Sequence, residues 1–303
     1  MSLHRGGLSL KIIAGPSSTE LANKISKLSA WPLVAVNTKR FPDGEFYFRL
    51  DEKISGEEIL LVQSLYPPQD SHVVELFMML QTIRDHGAEK IYVFIPYLAY
   101  SRQDERYLEG ECLSASLMAE LLEELGASAL YTVDVHNQKV LDMYKIPAYT
   151  LSASGELAKY FVSHDLKDPF IVAPDSEEMA LKRAEIAANA IGAEYNYFEK
   201  SRNRQTGEIV TYSKAVNVKG RDAIIIDDII STGKTSANVA KILKQQGARR
   251  VFVGVSHALL LGNALGLLTL SGVDELVGTD SVVNNYAKVS VAPILAKEFK
   301  EKR

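Results

Sequence analysis

The sequence predicts an α/β fold with two domains in tandem, each a mostly parallel sheet flanked by helices. Three observations carry that prediction. Short apolar runs rich in β-branched residues alternate with stretches of helical period from residue 10 to about residue 300, the pattern of parallel strands joined by crossover helices. At 303 residues the chain is long for one domain and comfortable for two. A faint repeat relates the halves: Gly87-Ala88-Glu89-Lys90-Ile91-Tyr92-Val93 matches Gly247-Ala248-Arg249-Arg250-Val251-Phe252-Val253. Gly126, Leu130 and Asp134 likewise share their spacing with Gly272, Leu276 and Asp280. A charged insert after Tyr100 accounts for the longer interval in the first half. The expected domains are residues 10–152 and 153–303.

In the first half, residues 10–14 read as a strand and Pro16 opens a helix that runs to about Leu28. Residues 33–36 form a second short strand, and Phe41-Pro42-Asp43-Gly44-Glu45 a turn before a strand at 46–50. A strand at 58–63 precedes a long helix at 70–84, and 90–95 is a buried strand. Residues 96–106 carry dense charge with no period and read as a loop or flap. A helix at 113–125 and a strand at 129–133 follow, ending in Asp134-Val135-His136-Asn137. The second half repeats the alternation: strands at 170–173, 194–198, 208–212, 223–226, 250–255 and 275–277, helices at 178–191, 233–246, 262–270 and 291–300.

Composition narrows the function classes. With 47% hydrophobic and 24% charged residues the chain can bury a core and is not a disordered segment. A net charge of −4 gives no global field for nucleic acid or an anionic membrane, so neither is an expected partner and phosphate binding must come from local clusters. The single cysteine, Cys112, excludes a disulfide within the chain and points to a reducing, cytoplasmic setting. Residues 1–9 read as a loose tail without a secretory leader pattern. The most apolar run, 258–273, is interrupted by Asn263, Thr269 and glycines and is too short to span a membrane.

Residues 223–235 are the most informative. Ala223-Ile224-Ile225-Ile226 is a buried strand, Asp227 and Asp228 stand at its expected end, and Ser231, Thr232, Gly233, Lys234 and Thr235 form a small polar turn before a helix. Free N–H groups and the helix dipole make such a turn an anion site, while the acids can meet sugar hydroxyls or a metal. Gly233-Lys234-Thr235 is not a Walker loop, because the glycine required five residues earlier is Asp228. Lys200-Ser201-Arg202-Asn203-Arg204 is a basic loop suited to charge on a transferring phosphoryl group, or simply a solvated one. His136 and Asp175 each follow a buried strand in their own half and suit a shared Mg²⁺. Phe41, Asp43 and Glu45 can stack on and hydrogen-bond an adenine.

These motifs, in this order over residues 10–299, resemble the ribose-phosphate diphosphokinases, or phosphoribosyl diphosphate synthases, and most of all their archaeal branch. The resemblance rests on residues 41–45, 100–104, 133–137, Pro174-Asp175, Lys200 with Arg202, and 227–235. It implies two phosphoribosyltransferase-type domains and transfer of the β,γ-diphosphoryl group of ATP to O1 of ribose 5-phosphate, with Mg²⁺ as cofactor. By that resemblance Asp227 and Asp228 hold the ribose hydroxyls, and Ser231, Thr232, Gly233, Lys234 and Thr235 the 5-phosphate. Lys200 and Arg202 neutralise the diphosphoryl group, and Arg102 and Gln103 contact ATP. Phe41, Asp43 and Glu45 take an adenine from a neighbouring subunit, implying a homo-oligomer of at least two chains, and His136 and Asp175 are Mg²⁺ ligands. Three features depart from the family pattern: the acidic Ser176-Glu177-Glu178-Met179 segment where a glycine turn is usual, Glu105 where a cation is expected, and Lys234 for glycine. They keep open a catalytically silent regulatory relative, alongside a phosphoribosyltransferase that consumes the product.

Overall fold

The computed structural model describes residues 10–202, 209–212 and 216–302. They divide into two units, Met1–Leu151 with Val291–Arg303, and Ser152–Ser290.

The first unit is built on β1 (Leu10–Ala14), β4 (Glu58–Val62), β5 (Lys90–Ile95), β6 (Ala129–Val133) and β7 (Ala148–Leu151), one parallel sheet in the order β1-β4-β5-β6-β7. Every residue of β4 and β6 is buried, as expected of strands covered on both faces. Helices α1 (Thr19–Ser29), α2 (Gln69–Asp85) and α3 (Ser114–Glu124) connect them. Between α1 and β4 the chain makes a separate antiparallel hairpin, β2 (Val36–Arg40) and β3 (Phe46–Leu50), and β3 packs against α2.

The second unit has α4 (Ser154–Val162), β8 (Phe170–Ala173), α5 (Glu178–Ile191), β9 (Glu194–Tyr197), β10 (Glu199–Arg202), β11 (Ile209–Tyr212), β12 (Asp222–Ile230), α6 (Lys234–Gln245), β13 (Arg250–Ala258), α7 (Ala264–Leu270), β14 (Glu275–Thr279) and β15 (Ala287–Val289). Its parallel sheet runs β15-β14-β13-β12-β8-β9. β10 and β11 pair antiparallel as a hairpin of their own.

The repeat seen in the sequence has a backbone counterpart. Gly56 N–H donates to Gly87 O at 2.8 Å and Gly220 N–H to Gly247 O at 2.8 Å. Asp134 N–H donates to Leu151 O at 2.8 Å where β6 meets β7, and Asp280 N–H to Val289 O at 2.9 Å where β14 meets β15. Each unit thus carries the same run of strands, β1-β4-β5-β6-β7 and β8-β12-β13-β14-β15, and a hairpin in the connection before the second of them.

Several expectations need correction. Residues 33–36 do not make a strand: only Leu33 bridges to Ile12, and the regular strand begins at Val36. β2 is almost wholly exposed, so no hydrophobic alternation marks it. The basic run from Lys200 begins in strand rather than in a loop, with Lys200 opposite Thr211 and Arg202 opposite Ile209. β12 does not end before the acids but continues to Ile230, because β13 is equally long and supplies partners as far as Ala258. β7, α4 and β15 were not foreseen. The final helix, α8 (Ala292–Lys302), expected in the second domain, belongs to the first unit, where it packs on α1. Phe299, 3% exposed, stands 5.4 Å from Trp31, 5.4 Å from Tyr92 and 4.6 Å from Tyr131, ring to ring. The helix that follows the last strand of the first half, α4, packs instead on α5 of the second unit.

Phe299→Ala should therefore destabilise the first unit by about 3–5 kcal/mol, the usual cost of emptying a buried phenylalanine site. Trp31 is the sole tryptophan, so its fluorescence during denaturant unfolding reads that unit directly. An unchanged midpoint would show that α8 contributes nothing to it.

Candidate active site

In the second unit the strand order reverses between β8 and β12: from β8 the chain moves on to β9, and from β12 it moves the other way to β13. Ligands of open α/β sheets lie at such a reversal, beyond the carboxyl ends of the strands. β8 pairs with β12 only as far as Val172 with Ile225. Past that point, among the described residues, β12 pairs only with β13, and there it carries Asp227 and Asp228.

Both acids are buried, at 8% and 4% exposure. Asp228 N–H donates to Asp227 Oδ1 at 2.9 Å, and Ser236 Oγ of α6 donates to Asp227 Oδ2 at 3.4 Å. Arg183 of α5, itself buried, places its guanidinium 3.4 Å from Asp228 Oδ1. Burial pushes the Asp227 carboxyl well above its ordinary 3.8, the charge and hydrogen bond of Asp228 add to this, Arg183 opposes it, and Asp175 raises it further. Asp175 follows β8 and is also buried; its Oδ1 accepts the Glu177 N–H at 3.2 Å. Three buried acids, Asp175, Asp227 and Asp228, thus share this part of the unit, with Arg183 offsetting part of their charge.

The turn after β12 is held from behind. Leu260 N–H donates to Ile230 O at 3.0 Å and Leu261 N–H to Ser231 O at 2.8 Å. Gly233 sits at φ 76°, and a Cβ there would come within 3.3 Å of Ala264 O, so both backbone and space call for glycine. Helix α6 starts at Lys234 without a side-chain cap, which leaves its first N–H groups for an anion. Thr232 and Lys234 are exposed, Ser231 and Thr235 half-buried.

In the first unit the hairpin turn is closed by Phe41 N–H to Glu45 O at 2.9 Å, Gly44 N–H to Phe41 O at 2.9 Å and Glu45 N–H to Asp43 Oδ1 at 3.1 Å. Phe41, Asp43 and Glu45 are all exposed. The Lys39 ammonium lies 4.8 Å from the Phe41 ring centre. The flap carries Arg102, exposed, and Gln103, whose Nε2 donates to Glu111 Oε2 at 3.2 Å. Glu111 also accepts the N–H groups of Tyr107 and Leu108, at 2.7 and 3.0 Å, and these backbone bonds lower its carboxyl from the ordinary 4.5. Asn137 Nδ2 donates to Asp104 Oδ2 at 2.5 Å and Lys139 Nζ stands 3.1 Å from Glu105 Oε1. The flap is thereby tied to the segment that carries exposed His136.

The structure thus gathers Asp175, Asp227 and Asp228 in one unit, with residues 231–235 directly after the last two. It gathers Arg102, Gln103 and His136 in the other. Lys200 and Arg202 lie in β10, but their side chains fall outside the described residues. The departures have local accounts. Glu105 answers Lys139, and Glu177 and Glu178 are exposed at the start of α5, where negative charge favours the helix. Arg183 escaped the sequence reading, yet a signal existed: it falls in the stripe of Ala180, Ala184 and Ala187, and a charge in a buried stripe implies a buried partner.

Comparison with known proteins adds the family. Residues 10–126 match the N-terminal domain of ribose phosphate pyrophosphokinase, and residues 209–297 the phosphoribosyl synthetase-associated domain. Over 292 residues the chain is 41% identical to the ribose-phosphate pyrophosphokinase of Sulfurisphaera tokodaii, spanning 95% of this chain and 99% of that one. The chain belongs to the ribose-phosphate pyrophosphokinase family. The family member of Methanothermobacter thermautotrophicus is 38% identical over 291 residues, 96% of this chain and all of its own length. The crystal structure of phosphoribosylpyrophosphate synthetase from Mycobacterium smegmatis aligns with a TM-score of 0.83 at 27% identity, covering 97% of this chain and 98% of that one. Both halves of the chain thus match within one family.

The crowding at Asp227 has a measurable consequence. A carboxyl whose folded pKa is raised gives most stability while protonated and loses it as pH climbs from the ordinary value of 3.8 through the raised one. Asp227→Asn removes that loss. The ligand-free variant should melt a few degrees above wild type at neutral pH and converge with it on acidification. Thermal unfolding across a pH series decides this, and a lower midpoint at neutral pH would refute it.

Proposed function

We propose that this chain carries out the reaction of its family, passing the β,γ-diphosphoryl group of ATP to O1 of ribose 5-phosphate to give phosphoribosyl diphosphate and AMP. The observation that carries the reading is the pair of buried carboxylates, Asp227 and Asp228, set directly before an uncapped helix start. The acids suit vicinal sugar hydroxyls, and residues 231–235 suit a terminal phosphate. The O1 oxygen attacks the β-phosphorus in line. The bond from that phosphorus to the α,β-bridging oxygen breaks, AMP leaves with that oxygen, and the O1 proton is released. Such a transfer asks the protein for positioning and charge stabilisation rather than a covalent intermediate.

Lys200 and Arg202 are assigned to the charge on the diphosphoryl group, and Arg102 and Gln103 to ATP. The exposed turn with Phe41, Asp43 and Glu45 is assigned to adenine. Its exposure suits a nucleotide held by a neighbouring chain, hence an oligomer of at least two copies. Mg²⁺ is the proposed metal, neutralising triphosphate charge when bound. Among the described residues there is no group of three or more His, Cys, Asp or Glu able to hold a metal alone. Mg²⁺ ordinarily keeps several waters and takes one or two protein groups beside substrate phosphates. Asp175, whose charge adds to the load on Asp227, and exposed His136 are the residues assigned to it. Among the described residues no helix is long and apolar enough to cross a membrane.

With Mg²⁺, AMP should accumulate only when ATP and ribose 5-phosphate are both present, as chromatography of the nucleotides would show. Absence of AMP with all three would sink the assignment. Lys200→Ala should lower kcat by about a hundredfold to a thousandfold, the usual cost of losing one group aimed at transition-state charge, with little change in KM for ATP. Unchanged turnover would remove Lys200 from the mechanism.

A further inference from the structure

The buried stripe of α2 holds Val73, Leu76, Met79, Leu80 and Ile83, and among them Glu75. Glu75 is 2% exposed and has no part in the chemistry assigned above. A carboxylate in such a place costs stability unless its oxygens are satisfied, and an apolar residue would serve packing as well. Its partners indicate what it does. One oxygen, Oε2, accepts Gln63 Nε2 at 3.0 Å. Gln63 is fully buried just past the end of β4, and its own Oε1 accepts the backbone N–H and Oγ of Ser17 at 3.2 and 2.8 Å. That amide is packed so closely that a Cβ on Gly15 would lie 2.1 Å from it. This end of the carboxylate is therefore fixed to the ends of β1 and β4.

The other oxygen, Oε1, pairs with Arg40, whose side chain is 46% exposed. Arg40 is the last residue of β2. Its second arm, Nη1, donates to Gly44 O at 2.9 Å, inside the turn that presents Phe41, Asp43 and Glu45. The guanidinium fork thus joins a rigid buried anchor to the turn itself. Among the described residues the hairpin forms a two-stranded sheet of its own, apart from both main sheets, so its angle is set by contacts other than theirs.

We propose that Glu75 is a positioning residue for nucleotide binding. It holds Arg40, and through it the turn 41–45, in the one orientation that receives an adenine. This rests on the assignment of that turn to ATP. Misplacing a binding element by about 1 Å can cost up to about a hundredfold, so the effect is large enough to measure.

Steady-state kinetics of the full chain with Mg²⁺, ATP and ribose 5-phosphate test it, using Glu75→Gln, Arg40→Lys and their double variant, with Phe41→Ala as the probe of the underlying assignment. Arg40→Lys keeps a charge for Glu75 but cannot span to Gly44 as a planar fork does, so it answers even where Glu75→Gln lowers stability. Each single variant should raise KM for ATP on the order of tenfold or more, leaving KM for ribose 5-phosphate and kcat at saturating ATP within about threefold. The double variant should be no worse than the poorer single one, as expected of groups acting in series. If Phe41→Ala raises KM for ATP while Glu75→Gln and Arg40→Lys do not, the turn binds nucleotide without the strut and the proposal fails alone. If Phe41→Ala also leaves KM unchanged, the assignment of the turn fails and the proposal with it. Equal increases in both KM values would mark Glu75 as merely structural and overturn it too.

Discussion

Placing two ionisable acids side by side inside a strand is costly, and the second unit is arranged around keeping them there. β13 runs as far as β12 and supplies backbone partners at Asp227 and again from Ile229, while the pairing with β8 ends at Ile225. Arg183 offsets part of the charge, and Asp175 adds to it. The Asp227 carboxyl thus sits under an electrostatic load that Arg183 relieves only in part. That load opposes stability, since a raised carboxyl loses its contribution as it ionises.

The charge is balanced very differently at the other end of the same strand. Asp222, also fully buried, is met by Arg249 and Arg250. Burial alone would raise its carboxyl, but hydrogen bonds from both arginines and from Lys167 N–H outweigh it and hold the group well below the usual range. One strand therefore carries an acid met by two arginines at its start, and toward its far end a pair whose charge Arg183 offsets only in part.

Much of this was legible in residue order. β-Branched runs marked the buried strands, and the acids, hydroxyls and glycine of residues 227–235 stood together in the chain. What escaped was whatever depends on distant pairing. β2 and β10 are polar strands off the main sheets, so no alternation announces them. The stripes around Arg183 and Glu75 signal buried partners but do not name them, because the carboxylate or guanidinium each faces is distant in the chain. The destination of a terminal helix is invisible for the same reason: α8 reads as amphipathic whichever unit it covers. The hairpins also gain sense only in comparison. In each half one interrupts the connection before the second sheet strand, bearing aromatic and acidic residues in the first and cations in the second.

The exchange of closing helices makes the repeat something other than an independent module. Each half sends the helix after its last strand to the other unit, α4 to the second and α8 to the first. A chain cut at its midpoint would leave a first fragment with Trp31 and Tyr131 stripped of their cover, and a second fragment carrying a helix with no sheet to lie on. Two copies of a single repeat would meet the same need by lending helices to each other, as swapped dimers do. In the tandem chain both exchanges are made within one polypeptide, and the backbone passes between its units twice rather than once.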